Sequence, residues 1–357
     1  MAPHKDLDAH ERPPQDIRNI YKKYQKMKKE HLALDRDIID ISSGAQSDTL
    51  REVWRFNFGR LRPTFDAFNG SSNFPNSLDA GNLPDTIPIY EHPHIPGLQL
   101  IPNLLPPSVQ PTLLNRLLHR DLSNPTHKTN IHTHYNIPYP ASSSSFFTVP
   151  ASSEEPFTPL DPLLHKPLPL PSFLRKKLRW MTLGGQYDWT AKEYPSDPAP
   201  PFPSDIAALL SALFPATTPE AAILNFYAPG DTLSMHRDVA ESCGKGLVSI
   251  SLGCDGIFVI GIEEEGKCRT VVVRLRSGDA VYMTGESRFA WHGVPLIVGG
   301  TCPAFLGEWP ATPKGEGEDA RAGAGEDGGG GSEDPFERWR GWMAGKRINL
   351  NVRQMFE

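Results

Sequence analysis

Short runs in which apolar and polar positions alternate fill the second half of the chain: LRWMTLGGQYDW (178–189), AAILNFYAP (221–229), GLVSISLG (246–253), GIFVIGI (256–262), TVVVRLRSGDAVYMTG (270–285), FAWHGV (289–294) and RINLNVR (347–353). Each is rich in β-branched and aromatic residues and is bounded by Gly, Pro, Ser or Asp, so each predicts a strand with a turn beside it, Gly278 and Asp279 making one such turn. Many short strands so spaced indicate an antiparallel sandwich or jelly roll. Earlier, LQLIP (98–102) reads as a strand, and Leu113, Leu114, Leu117 and Leu118 mark a helix over 108–122. The first thirty residues predict a solvated helix carrying five lysines between Lys22 and Lys29, and 335–343 predicts a helix rich in aromatics. No internal repeat is visible.

Proline changes the picture before residue 205. The chain holds 36 prolines in 357 residues, about twice the ordinary share of ~5%, which predicts long irregular connections there. The Ser/Pro stretch 136–171 reads as a long surface loop, and 51–96, rich in Asn, Gly, Ser and Pro, as an arm without a core of its own. The expected division is an arm over 1–97 and a domain over 98–357, interrupted at 312–334 by a disordered Gly/acid excursion. That tract carries seven of the acids against two bases, so it accounts for most of the net charge of −6. The rest of the chain is nearly neutral and free to meet an anionic partner.

Four cysteines form no CxxC pair and follow no secretory signal, which fits a reducing compartment. No stretch reaches eighteen apolar residues, so no membrane helix is expected. A nuclear or cytoplasmic location is expected rather than a mitochondrial one, because Asp6, Asp8, Glu11 and Asp16 do not suit a transit peptide.

The candidate chemistry lies in NFYAPGDTLSMHRD (225–238). Pro229 and Gly230 make a turn, and His236 and Asp238, two apart, project to one face of the extended segment that follows. An imidazole and a carboxylate side by side occupy adjacent positions on a divalent metal, and His292 in FAWHGV is the natural third ligand. Two histidines and one carboxylate with open positions suit non-haem Fe(II), whereas structural zinc closes its shell. His-x-Asp alone is weak, because most histidines are structural. What strengthens it is the final strand, whose Arg347, Asn349 and Arg353 alternate onto one face and suit a dicarboxylate.

The order Asn225-x-Tyr227-x-Pro229-Gly230, Leu233-Ser234-x-His236-x-Asp238, Ser287-Arg288-x-x-x-His292-Gly293-Val294, Arg347-x-Asn349-x-x-x-Arg353 resembles the AlkB-type 2-oxoglutarate and Fe(II)-dependent dioxygenases. The resemblance runs from Leu98 to Gln354, and the long gap before Arg347 with the ending RINLNVRQ is most similar to the eukaryotic AlkB homolog 1 branch. It implies a mainly β (α+β) fold with flanking helices around a double-stranded β-helix, cupin-like core. It implies that His236, Asp238 and His292 bind one Fe(II) per subunit, with 2-oxoglutarate and O2 as co-substrates. Arg347, helped by Tyr227 and Asn349, then holds the far carboxylate, while Arg353 and Asn225 lie near the oxo-acid end. The implied reaction removes an N-methyl group from a base of RNA or DNA, unpaired or flipped out, as formaldehyde, with succinate and CO2; a monomer is expected.

On the substrate side, Arg175, Lys176, Lys177 and Arg179 precede Tyr187, Trp189 and Tyr194, a mixture that can meet phosphate and stack a base, although aromatics in a strand are often core. Ser287 and Arg288 are expected to support the metal strand. Repair-type relatives carry an acid two residues after the metal Asp, where Ala240 stands here, followed by Glu241. Two other readings remain open: a protein demethylase or hydroxylase with the same chemistry, and a non-catalytic nucleic-acid-binding relative.

Overall fold

A computed structural model describes residues 7–8, 10–42, 49–70, 84–141, 144–189, 193–195, 198–312 and 334–356. In chain order the strands are β1 (Ile38–Asp40), β2 (Arg51–Asn57), β3 (Thr86–His92), β4 (Ile95–Ile101), β5 (Tyr135–Asn136), β6 (Thr158–Pro159), β7 (Trp180–Gly184) and β8 (Ala221–Tyr227). They continue with β9 (Leu233–His236), β10 (Leu247–Gly253), β11 (Asp255–Glu264), β12 (Lys267–Leu275), β13 (Ala280–Met283), β14 (Trp291–Val298) and β15 (Arg347–Arg353). The helices used below are α1 (Gln15–Gln25), α2 (Lys29–Leu32), α3 (Phe58–Asn69), α4 (Val109–Asn115), α5 (Leu170–Ser172) and α6 (Ser204–Leu213).

Two sheets pack face to face. The larger runs β2-β3-β4-β13-β10-β15-β8-β7 and the smaller β1-β12-β11-β14-β9. Every pairing in them is antiparallel except β1 with β12. This is the jelly-roll core expected from the strand pattern.

Period-two alternation decides what each face of the larger sheet meets. In β15 the even positions Ile348, Leu350 and Val352 join a core with Leu113, Leu117 and Leu209 from α4, its extension and α6. The odd positions Arg347, Asn349, Asn351 and Arg353 face a cavity between the sheets. β8 repeats the rule, with Leu224 and Phe226 toward the helices and Asn225 toward the cavity. Beside the cavity, Leu98, Leu247, Ile260, Val273 and Val281 fill the space between the sheets. On the far side of the smaller sheet, α1 contributes Ile17, Tyr21 and Tyr24 to a third cluster with Val259 and Trp291.

Several segments differ from their expected form. Residues 51–97, read as an arm, lay β2, β3 and α3 onto the larger sheet, and β4 begins at Ile95, so the 97/98 boundary falls inside a strand. Their Asn/Gly/Ser richness is concentrated in 71–83, outside the described residues, while Ile87 and Ile89 alternate as a strand should. Stretch 136–171 runs irregularly, yet Phe146, Phe147 and Phe157 are buried in the helical-side core: three aromatic anchors outweigh a polar average. The helix expected over 335–343 is instead two 3-10 turns, Glu337–Trp339 and Trp342–Gly345, separated by Gly341 at φ 80°. A left-handed residue cannot continue a right-handed helix.

Most of the Gly/acid tract, 313–333, lies outside the described residues, but its two ends meet. The Thr312 amide donates to Asp334 Oδ2 at 2.6 Å, and the Phe336 amide to Asp334 Oδ1 at 2.8 Å. A loop whose ends are already closed contributes little to the geometry around them. Replacing 315–332 with a short Gly/Ser linker is therefore expected to leave kcat/KM within about twofold and the thermal midpoint unchanged within a few degrees, checked by turnover and calorimetry.

Candidate metal centre

β9 ends at His236, and the chain leaves the sheet so that Asp238 stands just beyond the strand. β14 places His292 directly opposite His236 in the antiparallel register. Their rings are 4.4 Å apart, and the Asp238 oxygens lie 3.8 Å from His236 Nε2 and 3.7 Å from His292 Nε2. One ligand atom from each falls within 4.8 Å of the others, close to the spread that three bonds of ~2.1 Å to one ion span. The structure thus brings His292 to a pair that lies far from it in the chain.

Backbone carbonyls select the tautomers. His236 Nδ1 lies 2.9 Å from Ser234 O and His292 Nδ1 3.0 Å from Ala290 O. A carbonyl only accepts, so Nδ1 carries the proton and Nε2 presents its lone pair toward Asp238. Burial pushes the His292 imidazole down to about 4, which keeps it neutral as a ligand must be. Burial alone would raise the Asp238 carboxyl, but the cations around it, Arg353 foremost and Arg288 with it, outweigh burial and hold the group well below the usual carboxylate range.

Two arginines hold this residue, one by its carboxylate and one by its backbone. Arg353 Nη2 donates to Asp238 Oδ2 at 3.0 Å, and Arg288 Nη1 donates to the Asp238 carbonyl at 2.8 Å. Glu241 joins them, accepting from Arg288 Nη2 at 2.9 Å and lying 3.3 Å from Arg353 Nε. Arg288 thus holds the backbone of the 236–238 turn, Ser287 caps the turn before β14 through Thr284, and Glu241 is a buried counter-ion between two guanidinia. Removing one member of such a network leaves an uncompensated buried charge, typically worth ~3–5 kcal/mol.

Beside the triad lies a cavity of about 390 Å³. At its base the Arg347 guanidinium is buried, with Nη2 donating to Ser251 Oγ at 2.8 Å. Among the described residues its Nε and Nη1 have no hydrogen-bond partner, and neither has the buried hydroxyl of Tyr227, which register sets opposite Arg347. Buried donors without acceptors are costly, so they mark where an anion belongs. Gly256 makes the room: a Cβ there would lie 2.7 Å from Arg347 Nε. Asn225 lines the wall. Asn349 also lines it, but its amide donates to Ser249 Oγ and the Ile250 carbonyl while its oxygen accepts from Asn351. Its first task is holding the sheet.

At the mouth, Tyr187 and Trp189 line the cavity with ring centres 4.9 Å apart and nearly perpendicular; Trp189 is 43% exposed. Tyr187 also meets Tyr194, whose hydroxyl accepts from Arg353 at 3.3 Å. The basic run lies farther out: Arg175 stacks over Trp339, Arg179 pairs with Asp231, and none of the four borders the cavity. Ser249, Ser251 and Gly256 escaped notice in the sequence. The available signal was serine at alternate positions of the otherwise apolar GLVSISLG.

A family model described as the 2OG-Fe(II) oxygenase superfamily matches residues 97–353. The chain is 44% identical, over 99% of its own length and 98% of the relative's, to the Pyricularia oryzae protein named N6-methyladenosine RNA demethylase ALKB1. It is 48% identical, over 63% of its length and 99% of the relative's, to N6-methyladenosine RNA demethylase ALKBH of Cryphonectria parasitica. It is 35% identical, over 79% and 87% respectively, to tRNA demethylase abh1 of Schizosaccharomyces pombe.

Proposed function

The chain belongs to the 2OG-Fe(II) oxygenase superfamily and is AlkB-type, and from this we propose that it is an oxidative demethylase of RNA acting on N6-methyladenine in an unpaired segment. Fe(II), 2-oxoglutarate and O2 are the cofactor and co-substrates of the family. Together they supply the oxidation of an N-methyl carbon, whose hydroxymethyl product breaks down to formaldehyde and the free amine.

The residues present suit that assignment. His236, Asp238 and His292 would hold the ion through two imidazole nitrogens and one carboxylate oxygen, beside the cavity. Arg347 and Tyr227 supply three unspent donors for the distal carboxylate of a dicarboxylate, and Asn225 lies toward the other end. Arg353 keeps Asp238 ionised and oriented, while its neighbour Tyr194 ties it to the aromatic mouth. Tyr187 and Trp189 give a base two π-faces at the entrance, and a base reaches them only out of a duplex.

The observation that carries the reading is the buried Arg347 with two unpaired N–H groups in the same cavity as the His/Asp/His cluster. The substrate class rests on the names of the relatives that match along most of the chain. The test compares formaldehyde and succinate release from a single-stranded RNA carrying N6-methyladenine, the matching DNA, the RNA duplex, and a methylated histone peptide. Turnover is expected first on the single-stranded RNA. Turnover confined to the peptide would replace the proposal with a protein demethylase.

A further inference from the structure

Between His236 and Asp238 stands Arg237, whose side chain is only 15% exposed. Its guanidinium carbon lies 4.3 Å from the ring centre of Trp291, the buried residue just before His292. Its Nη1 donates to Glu11 Oε2 at 2.6 Å. One cation, flanked in the chain by His236 and Asp238, thus touches the neighbour of His292, and its counter-charge comes from a segment 226 positions away. That segment is anchored: Glu11 precedes α1, whose Ile17, Tyr21 and Tyr24 pack with Met235 and Trp291, and Lys29 at the start of α2 donates to the Gly299 carbonyl at 2.7 Å.

The backbone alone does not secure this corner. β9 is an edge strand of four residues, paired among the described residues with β14 alone, and its register slips between His292 and Val294. Asp238 lies past the strand end, so sheet hydrogen bonds do not set its distance from His292. Arg353 holds Asp238 from the larger sheet, and Arg288 holds it from the turn that leads into β14. Arg237 is the matching tie on the side of the smaller sheet.

The geometry points to Arg237 as a positioning residue that clamps the 236–238 turn against the strand bearing His292, with the amino-terminal segment, through Glu11, completing the metal site. A planar guanidinium can lie on the indole while pairing its edge with a carboxylate; an ammonium does one or the other poorly. The inference rests on the reading of His236, Asp238 and His292 as ligands.

The experiment titrates the full-length protein with Mn(II) at saturating 2-oxoglutarate and follows the paramagnetic resonance of the unbound aqueous ion. Arg237→Leu is expected to weaken Mn(II) binding about tenfold or more and Glu11→Gln about threefold, in the range typical of groups that orient metal ligands. Arg237→Lys should fall between wild type and Arg237→Leu. The urea midpoint of the metal-free Glu11→Gln protein should match wild type, because that exchange leaves the apolar packing of α1 intact. Mn(II) affinity within twofold of wild type in both Arg237→Leu and Glu11→Gln overturns the inference, as does a loss seen in Arg237→Leu alone together with a fall in its metal-free midpoint. Asp238→Ala run alongside separates the two claims: if it binds Mn(II) like wild type, the ligand reading fails, and if only the Arg237 and Glu11 variants do, the clamp alone fails.

Discussion

Asp238→Ala is expected to abolish iron-dependent turnover, with a fall on the order of 10³-fold or more, beyond the ~10–100-fold typical when only an outer partner of a metal ligand is lost. Asp238 is the single anionic member of the triad, and its charge is sustained by Arg353 despite burial. Alanine removes the ligand and leaves Arg353 facing the cavity with Glu241 as its counter-ion. His236→Ala should give the same loss with less disturbance of the fold, because its side chain is 35% exposed and makes one hydrogen bond, to Ser234 O. Succinate and formaldehyde release measured on both variants, with circular dichroism to verify folding, checks this. Either variant turning over at the wild-type rate, with added Fe(II) limiting, refutes the ligand assignment.

What the chain discloses without coordinates is whatever has a short period. β8, β10 and β15 could be read because alternation writes both faces into seven consecutive residues. The same rule that put Ile348, Leu350 and Val352 in a core put Arg347, Asn349 and Arg353 together on the other face. His236 and Asp238 were legible as a pair, and His292 as their partner, because metal chemistry restricts which residue types can converge. What a period cannot disclose is pairing across long separations. That 51–57 and 86–92 extend the sheet depends on partners contributed by 95–101, and the loop aromatic Phe147 is core because Trp309, Trp339 and Trp342 arrive from the far end of the chain. The departure lay at Ala240, and the acid that follows it, Glu241, serves two arginines that approach from β15 and from the turn before β14. The role of Asn349 shifted in the same way, since its amide proved to be engaged by β10.

Arg347→Ala is expected to raise the KM for 2-oxoglutarate on the order of 10²-fold, because truncating one partner of a buried charge pair costs ~2–5 kcal/mol and each ~1.4 kcal/mol is tenfold. Mn(II) binding without 2-oxoglutarate should stay near wild type, since Arg347 contacts Ser251 and no residue of the triad. That contrast distinguishes it from Asp238→Ala, which disables metal and co-substrate together. Gly256→Ala should act in the same direction, as the new methyl would meet the guanidinium at 2.7 Å and displace it in a fully packed wall. The sign of the stability change is more informative still. Without its anion, Arg347 is a buried cation with two unmet donors, an arrangement that opposes folding. Arg347→Met, similar in length and apolar, should leave the urea midpoint of the ligand-free protein equal to or above wild type while losing co-substrate affinity. A site that exists to bind a diacid weakens the empty fold; a purely structural arginine would strengthen it, and a lower midpoint in Arg347→Met with unchanged KM would assign Arg347 to the scaffold.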